Sequence, residues 1–396
     1  MVAGPFLDEA AVGKCRDAIL ETMRVLGINP STIVPFDKTP TFKPFLAECV
    51  KVARQRGYLV DGLAFQEKHI HIGAAVGHYT YLHHKGTGKS HDIPVLSSLI
   101  MAFYYCIDDY CFEAQSVAEF GARLAAGRPQ REKGLDDLAA LTAEVVEMYG
   151  PITGDLLSAS TQAYVMGNHL EREMCGTSSQ WQVNKHAPIF PTIMKTMTSA
   201  ATTLFLLSFP CDVPSVDYIQ SLPDGILVHD YTADIMSYYK EAIEGEFNRV
   251  EQAAQMHGVS GPEMLEEFVR KMTISHERAS RVLSSSDPSG KLLSCYQQTI
   301  VGFIVFQALH PRYKITDLLG VSTSSSYAFG PQRKPESKSV ATASRFASLP
   351  SRGLRVAQSR GFINSLSVYI FVIILSSYLS IMWYPILISK FVVLAK

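Results

Sequence analysis

The sequence predicts an all-α fold, a bundle of helices packed around an apolar interior. Three observations predict it. Apolar residues recur at helical spacing through most of the first 310 positions. Two stretches, 94–113 and 296–309, are apolar nearly all round and must sit inside a larger helical body. No alternating strand pattern of useful length occurs, and no glycine-rich phosphate loop. A chain of 396 residues could hold two or three average domains, but one large helical domain with a tail fits as well.

The elements follow in order. Residues 8–26 place Ala11, Cys15, Ala18, Ile19, Met23 and Leu26 on one face behind an acidic start, which predicts a helix. Four prolines in 30–44 mark a connecting loop, and a second helix is expected from Pro44 to about Arg56, before Gly57. The histidine-rich segment that follows, with His69, His71, His78, His83, His84 and His91, matches no zinc spacing and has no accompanying cysteine; surface and helix-end positions are expected. Residues 94–113 read as one buried helix whose acids face a cavity. Helical patterns return at 135–148, 151–173 and 188–207. The acid pair Asp136 and Asp137 reads as a surface helix start, favoured there by the dipole.

Composition excludes some functions. With 36 basic and 37 acidic residues the net charge is −1, which gives no general field for nucleic acid. Seven scattered cysteines without a C-x-x-C pair fit free thiols in a reducing compartment. Charged residues interrupt the first thirty positions, leaving no apolar core for a signal peptide, so the amino end reads as cytosolic.

Three polar clusters carry the chemistry. The first is AFYYCIDDYCFE at 102–113. On a continuous helix Asp109 with Glu113, or Asp108 with Glu113, would converge, and such carboxylates suit Mg2+ shared with substrate phosphates. Alone, the motif is equally a solvated acidic helix end. The second is HDYTADIMSYYKEAIEGE at 229–246. There Asp234, Ser237 and Glu241 stand at i, i+3 and i+7 and aim three oxygen ligands along one face, with Lys240 one residue off that line and able to reach a phosphate. The third is Arg312 beside Tyr313 at the end of the apolar helix 296–309. This guanidinium fork and phenol suit a phosphate oxygen or a carboxylate such as Asp109.

Over residues 45–320 the chain resembles the class I terpene synthases, and among them the fungal trichodiene synthase family of sesquiterpene cyclases. DDYCFE at 108–113, ADIMSYYKE at 233–241 and Arg312-Tyr313 carry the resemblance, in that order and at similar intervals. It implies a class I helical bundle, three Mg2+ ions and farnesyl diphosphate as substrate. It implies that Asp108 binds Mg2+ and that Asp109 pairs with Arg312 when the site closes. Ser237 and Glu241 would hold a further Mg2+, while Lys240, Arg312 and Tyr313 would hydrogen-bond diphosphate. Asp108, Glu241, Arg312 and Tyr313 are thus the expected catalytic residues, and Asp108, Glu113, Asp234, Ser237 and Glu241 the metal candidates. A homodimer is a further expectation.

The chain departs from the family pattern at Ala233, where Asn or Asp is usual, and at Phe112, where a nearer acid often sits. It also lacks an arginine in 186–198, where Lys195 is the one fixed cation. Phe103, Tyr104, Tyr105, Phe112, Tyr238 and Tyr239 are candidates to face a carbocation, with one or two of them lining the cavity. A second aspartate-rich motif, needed for chain elongation, is absent, as is the D-x-D-D of protonation-initiated cyclases. The alternative from another class is a non-catalytic homologue held at a membrane.

Beyond the expected catalytic domain, 1–320, residues 321–360 read as a disordered basic linker. Residues 361–396 form an apolar tail, with 28 uncharged positions at 362–389. That exceeds the ~20 needed to cross a bilayer. Seven Lys or Arg residues from Arg333 to Arg360 would keep the catalytic part cytoplasmic, tail-anchored to an internal membrane. A misread gene end would give the same pattern.

Overall fold

A computed structural model describes residues 7–86, 88–177, 183–246 and 248–319. The expected linker and apolar tail lie outside the described residues. Those described form α-helices and short 3-10 turns with no strand, so the all-α expectation is met.

α1 (Glu9–Val25) opens on Asp8, whose carboxylate accepts the Ala11 amide at 2.8 Å as an N-cap. α2 (Phe42–Gln55) and α3 (Glu67–Tyr81) lead to α4 (Ile93–Asp108), α5 (Ala114–Ala125), α6 (Lys133–Tyr149) and α7 (Pro151–Thr177). α8 (Phe190–Thr198) and α9 (Ala201–Leu206) precede the long α10 (Leu222–Glu244). α11 (Arg249–His257), α12 (Gly261–Ser286), α13 (Lys291–Leu309), a 3-10 turn at Pro311–Tyr313 and α14 (Ile315–Leu319) complete the bundle.

α3 lies against α4 on one side and α13 on the other, while α10 packs on α1, α9 and α12. The first contact is unusually close. A Cβ on Gly73 would stand 2.1 Å from the Ser98 carbonyl oxygen, and one on Gly77 1.9 Å from the Ser98 hydroxyl. Gly302 of α13 meets the Tyr79 carbonyl in the same way, at 1.9 Å. Backbone therefore packs on backbone along this wall, which only glycine permits. α13 is long and apolar enough to cross a membrane, but most of it is buried within the bundle.

Three sequence expectations change. Residues 94–113 are not one helix: α4 stops at Asp108, and Tyr110 takes a left-handed conformation at φ 55°. The Tyr110 amide bonds the Ile107 carbonyl at 3.0 Å and the Cys111 amide bonds Cys106 at 3.1 Å, which is a Schellman stop built without glycine. Residues 188–207 divide into α8 and α9 at Ser199. Of the histidines expected at the surface, His69 and His84 are 0% exposed and His78 5%. α3 carries the first and third of these into the core.

Candidate active site

The three clusters meet at one cavity. The Arg312 guanidinium, held by the turn after α13, donates to Asp108 at 2.7 Å and to Asp109 at 2.9 Å. Two residues on, Lys314 pairs with Glu244 near the end of α10 at 2.9 Å. One short segment thus ties the carboxyl end of α4 to the carboxyl end of α10. Arg312 also lies over the Tyr105 ring, 5.5 Å from its centre, and the Tyr105 and Tyr313 hydroxyls are 3.0 Å apart. Burial works to lower the Arg312 pKa, but Asp108 and Asp109 overcome it and hold the guanidinium firmly charged. The second oxygen of Asp109 is buried with no hydrogen-bond partner among the described residues.

On α10, Asp234, Ser237 and Glu241 line the cavity together, as their spacing predicted, and Ala233 and Lys240 line it beside them. Burial raises the Glu241 pKa, opposed by Lys195, Lys240 and the Ser237 hydroxyl. Asp234 differs from its expected role as a metal ligand. It is 3% exposed, with one oxygen 2.9 Å from the Lys195 ammonium and the other accepting Nε of Arg249 at 2.5 Å. Both oxygens are spanned by cations. Lys240 likewise turns to carboxylates of this chain, Glu246 at 2.5 Å and Glu244 at 3.3 Å.

Glu113 is not brought to this cavity. The turn at Tyr110 breaks the helical register that would have aimed it beside the aspartates; it is exposed at the start of α5, where its amide donates to Glu132 at 2.9 Å. Of the six aromatic candidates, Tyr104 and Tyr105 line the cavity, joined by Tyr164 and Phe303, which sequence reasoning did not single out.

Other participants were missed as well. Asp230 stands one turn before Asp234, fully buried, and accepts Ser199 Oγ at 2.5 Å and Thr196 Oγ1 at 3.1 Å. Burial raises its pKa against the pull of Arg249. Arg249, first residue of α11, is 5% exposed and stacks over Tyr231 at 4.5 Å and Phe268 at 5.0 Å. A cation at a helix amino end is disfavoured by the dipole, and that was the one available signal that Arg249 has a partner elsewhere. Asp230, Asp234 and Glu241 thus act on Lys195, Asp230 and Asp234 on Arg249 as well, while Lys240 is shared between Glu241 and its partners Glu244 and Glu246.

The cavity divides along its helices. The polar groups come from the carboxyl end of α4, the second half of α10, Lys195 of α8, Arg249 of α11 and the Arg312 turn. Apolar lining comes from Val76, Met101, Met194, Ala201, Leu204 and Phe303. Met101 lies two turns before Asp108, about 10 Å deeper at 1.5 Å per residue. The cavity, open at one side, has a volume of about 210 Å3, several times the ~30 Å3 share of one water. Such a site takes a ligand with a charged head and an apolar body.

No family model matches the chain. Curated relatives do. An alpha-cuprenene synthase of Coprinopsis cinerea is 24% identical over 289 residues, covering 72% of this chain and 86% of the relative. A monoterpene synthase of Postia placenta is 28% identical, covering 54% and 63%. An (E)-beta farnesene synthase of Metarhizium brunneum is 24% identical, covering 57% and 68%. Among solved structures, a linalool/nerolidol synthase of Streptomyces clavuligerus aligns over 68% of this chain and 94% of its own, with 15% identity and a TM-score of 0.48.

Proposed function

We propose that this chain, a terpene cyclase, is a Mg2+-dependent sesquiterpene synthase of the trichodiene synthase family, which ionises and cyclises farnesyl diphosphate. One observation carries the reading. Asp108, Ser237, Glu241, Lys240, Arg312 and Tyr313 gather at one end of a cavity whose deeper wall is apolar and aromatic.

The residues present fit Mg2+. The donors are hard oxygens, and beside Asp108 one buried Asp109 oxygen has no hydrogen-bond partner among the described residues. Asp108 would hold one ion, and Ser237 with Glu241 another. Mg2+ bound there would supply charge that favours departure of diphosphate without protonation.

The chain's own groups do the rest. Arg312 is a planar fork already held in place, so it can keep Asp109 while turning donors to a diphosphate oxygen. Tyr313 adds a phenol donor beside it. Lys240 sits within a movement of its own side chain from the same region, balanced by Glu244 and Glu246 until an anion arrives. Lys195, standing in the segment where the family carries an arginine, supplies charge from α8. Tyr104, Tyr105, Tyr164 and Phe303 present ring faces to the cavity, each able to stabilise a nearby cation by ~0.5–2 kcal/mol. The apolar wall excludes water until the product forms. The reading extends to residues 1–320 as the catalytic part, with 361–396 as a tail anchor.

Incubation of the purified protein with farnesyl, geranyl and geranylgeranyl diphosphates and Mg2+, followed by gas chromatography and diphosphate assay, tests it. Cyclic hydrocarbons or alcohols from the farnesyl substrate are expected. Diphosphate release from none of the three would overturn the reading.

A further inference from the structure

Directly behind the aspartate pair lies a cluster that the reaction does not use. The sulfurs of Cys106 and Cys111 and a ring nitrogen of His69 all lie within 4.8 Å of one another. The helix stop creates this meeting. In a Schellman motif the residue three before the cap and the second one after it are brought side by side, and here those two are Cys106 and Cys111.

Three such groups could hold a soft metal, but the hydrogen bonds argue otherwise. The Gln66 amide donates to Nδ1 of His69 at 3.0 Å, as part of the capping of α3, so the ring proton sits on Nε2. That nitrogen lies 3.6 Å from the Cys111 sulfur. It faces the sulfur as a donor, without the lone pair a metal would need. A donor aimed at a half-buried sulfur, with a second thiol adjacent, is the setting of a reactive cysteine. Serine hydroxyls also meet Cys49 and Cys211, but among the described residues neither sulfur belongs to such a cluster, and burial pushes Cys15 and Cys49 up to about 12.

We propose that Cys111 is an oxidation site for peroxide, with Cys106 as its resolving partner. The Cys111 sulfur attacks the O–O bond, giving a sulfenic acid and one water. The Cys106 sulfur then displaces the sulfenic hydroxyl, with its own proton leaving in a second water, and a disulfide remains. Two thiols are oxidised and one peroxide reduced. Closing the bond to ~2.05 Å draws in the backbone on either side of Asp108 and Asp109. The oxidised chain therefore holds both aspartates in an altered position relative to Arg312. The effect on turnover rests on the function proposed above; the disulfide does not.

The test uses the full chain, reduced, desalted and exposed to hydrogen peroxide, with the tryptic peptide that carries both cysteines followed by mass. Expected is a loss of two hydrogens and resistance to iodoacetamide, both reversed by dithiothreitol. In Cys106→Ser the link cannot form, and a sulfenic acid on Cys111 should be trapped by dimedone. If both cysteines of the wild-type peptide are still alkylated after peroxide, the proposal fails. It also fails if the protein binds one Zn2+ that shields both thiols, which would make the trio a metal site. Once turnover is established, it should fall about tenfold on oxidation and recover on reduction. A linked peptide with unchanged turnover would uphold the site and refute the consequence for the aspartates.

Discussion

Lys195 of α8 lies 2.9 Å from Asp234 of α10, and Arg249 of α11 grips the other side of the same carboxylate. Asp234 therefore joins three helices. Asp234→Asn leaves two buried cations short of an anion, and removing one partner of a buried pair costs about 3–5 kcal/mol. The variant should unfold at clearly lower urea than the parent, as read by circular dichroism. An unchanged midpoint would mean that the pair is no more than incidental.

Ala233 faces the cavity one residue earlier, with no ligand atom of its own. Ala233→Asn adds an oxygen on the face of Ser237 and Glu241, four and eight residues away. The Mg2+ concentration for half-maximal turnover should fall several-fold. If it does not move, the second site is not built on this face.

Asp108→Asn and Glu241→Gln each remove a charge and little volume. Turnover should drop by about 100-fold or more in each, with the helical circular dichroism intact. Near-normal rates in both would place the metal elsewhere.

Arg312→Lys keeps a positive charge but loses the fork that spans Asp108 and Asp109. Because one ammonium cannot reproduce two directed bonds, kcat should fall at least ~10-fold with a smaller change in stability. Steady-state kinetics beside a melting curve separates the two.

Four buried histidines give the fold a pH dependence. Burial lowers His78 and His229 to about 4 and His84 and His310 to about 3, against an ordinary value of 6.5. Below pH 6.5 the unfolded chain binds protons that the folded chain does not. Stability is thus complete above that pH and is lost as pH falls toward 4, by up to ~1.4 kcal/mol per pH unit for each histidine. Urea midpoints at pH 7.5, 6.0 and 5.0 should fall in that order.

What could be read in advance was local. The α10 carboxylates announced themselves through spacing, and α13 through its unbroken apolar run. The failures were tertiary or conformational. Nothing in the sequence around Tyr110 marks a stop, because the left-handed position that usually calls for glycine is filled by tyrosine, whose ring lies under Arg172 at 5.2 Å. Glu113 was misplaced for that reason. Asp230, Lys195 and Arg249 come from separate helices and acquire their meaning only when α8, α10 and α11 pack. His69 looked like a surface residue because a buried imidazole depends on hydrogen bonds that only the fold supplies.

The backbone contacts at Gly73, Gly77 and Gly302 set where this cavity can change. Even one methyl group at any of them would force α3 away from α4 or α13, so that wall admits no gradual drift. The side chains that line the space, Val76, Met101, Met194, Ala233 and Phe303 among them, can still be exchanged singly. Diversification of the space available to a substrate is therefore confined to side chains projecting from a fixed backbone frame, and a library aimed at new cavity shapes belongs at those lining positions and not at the helix seams.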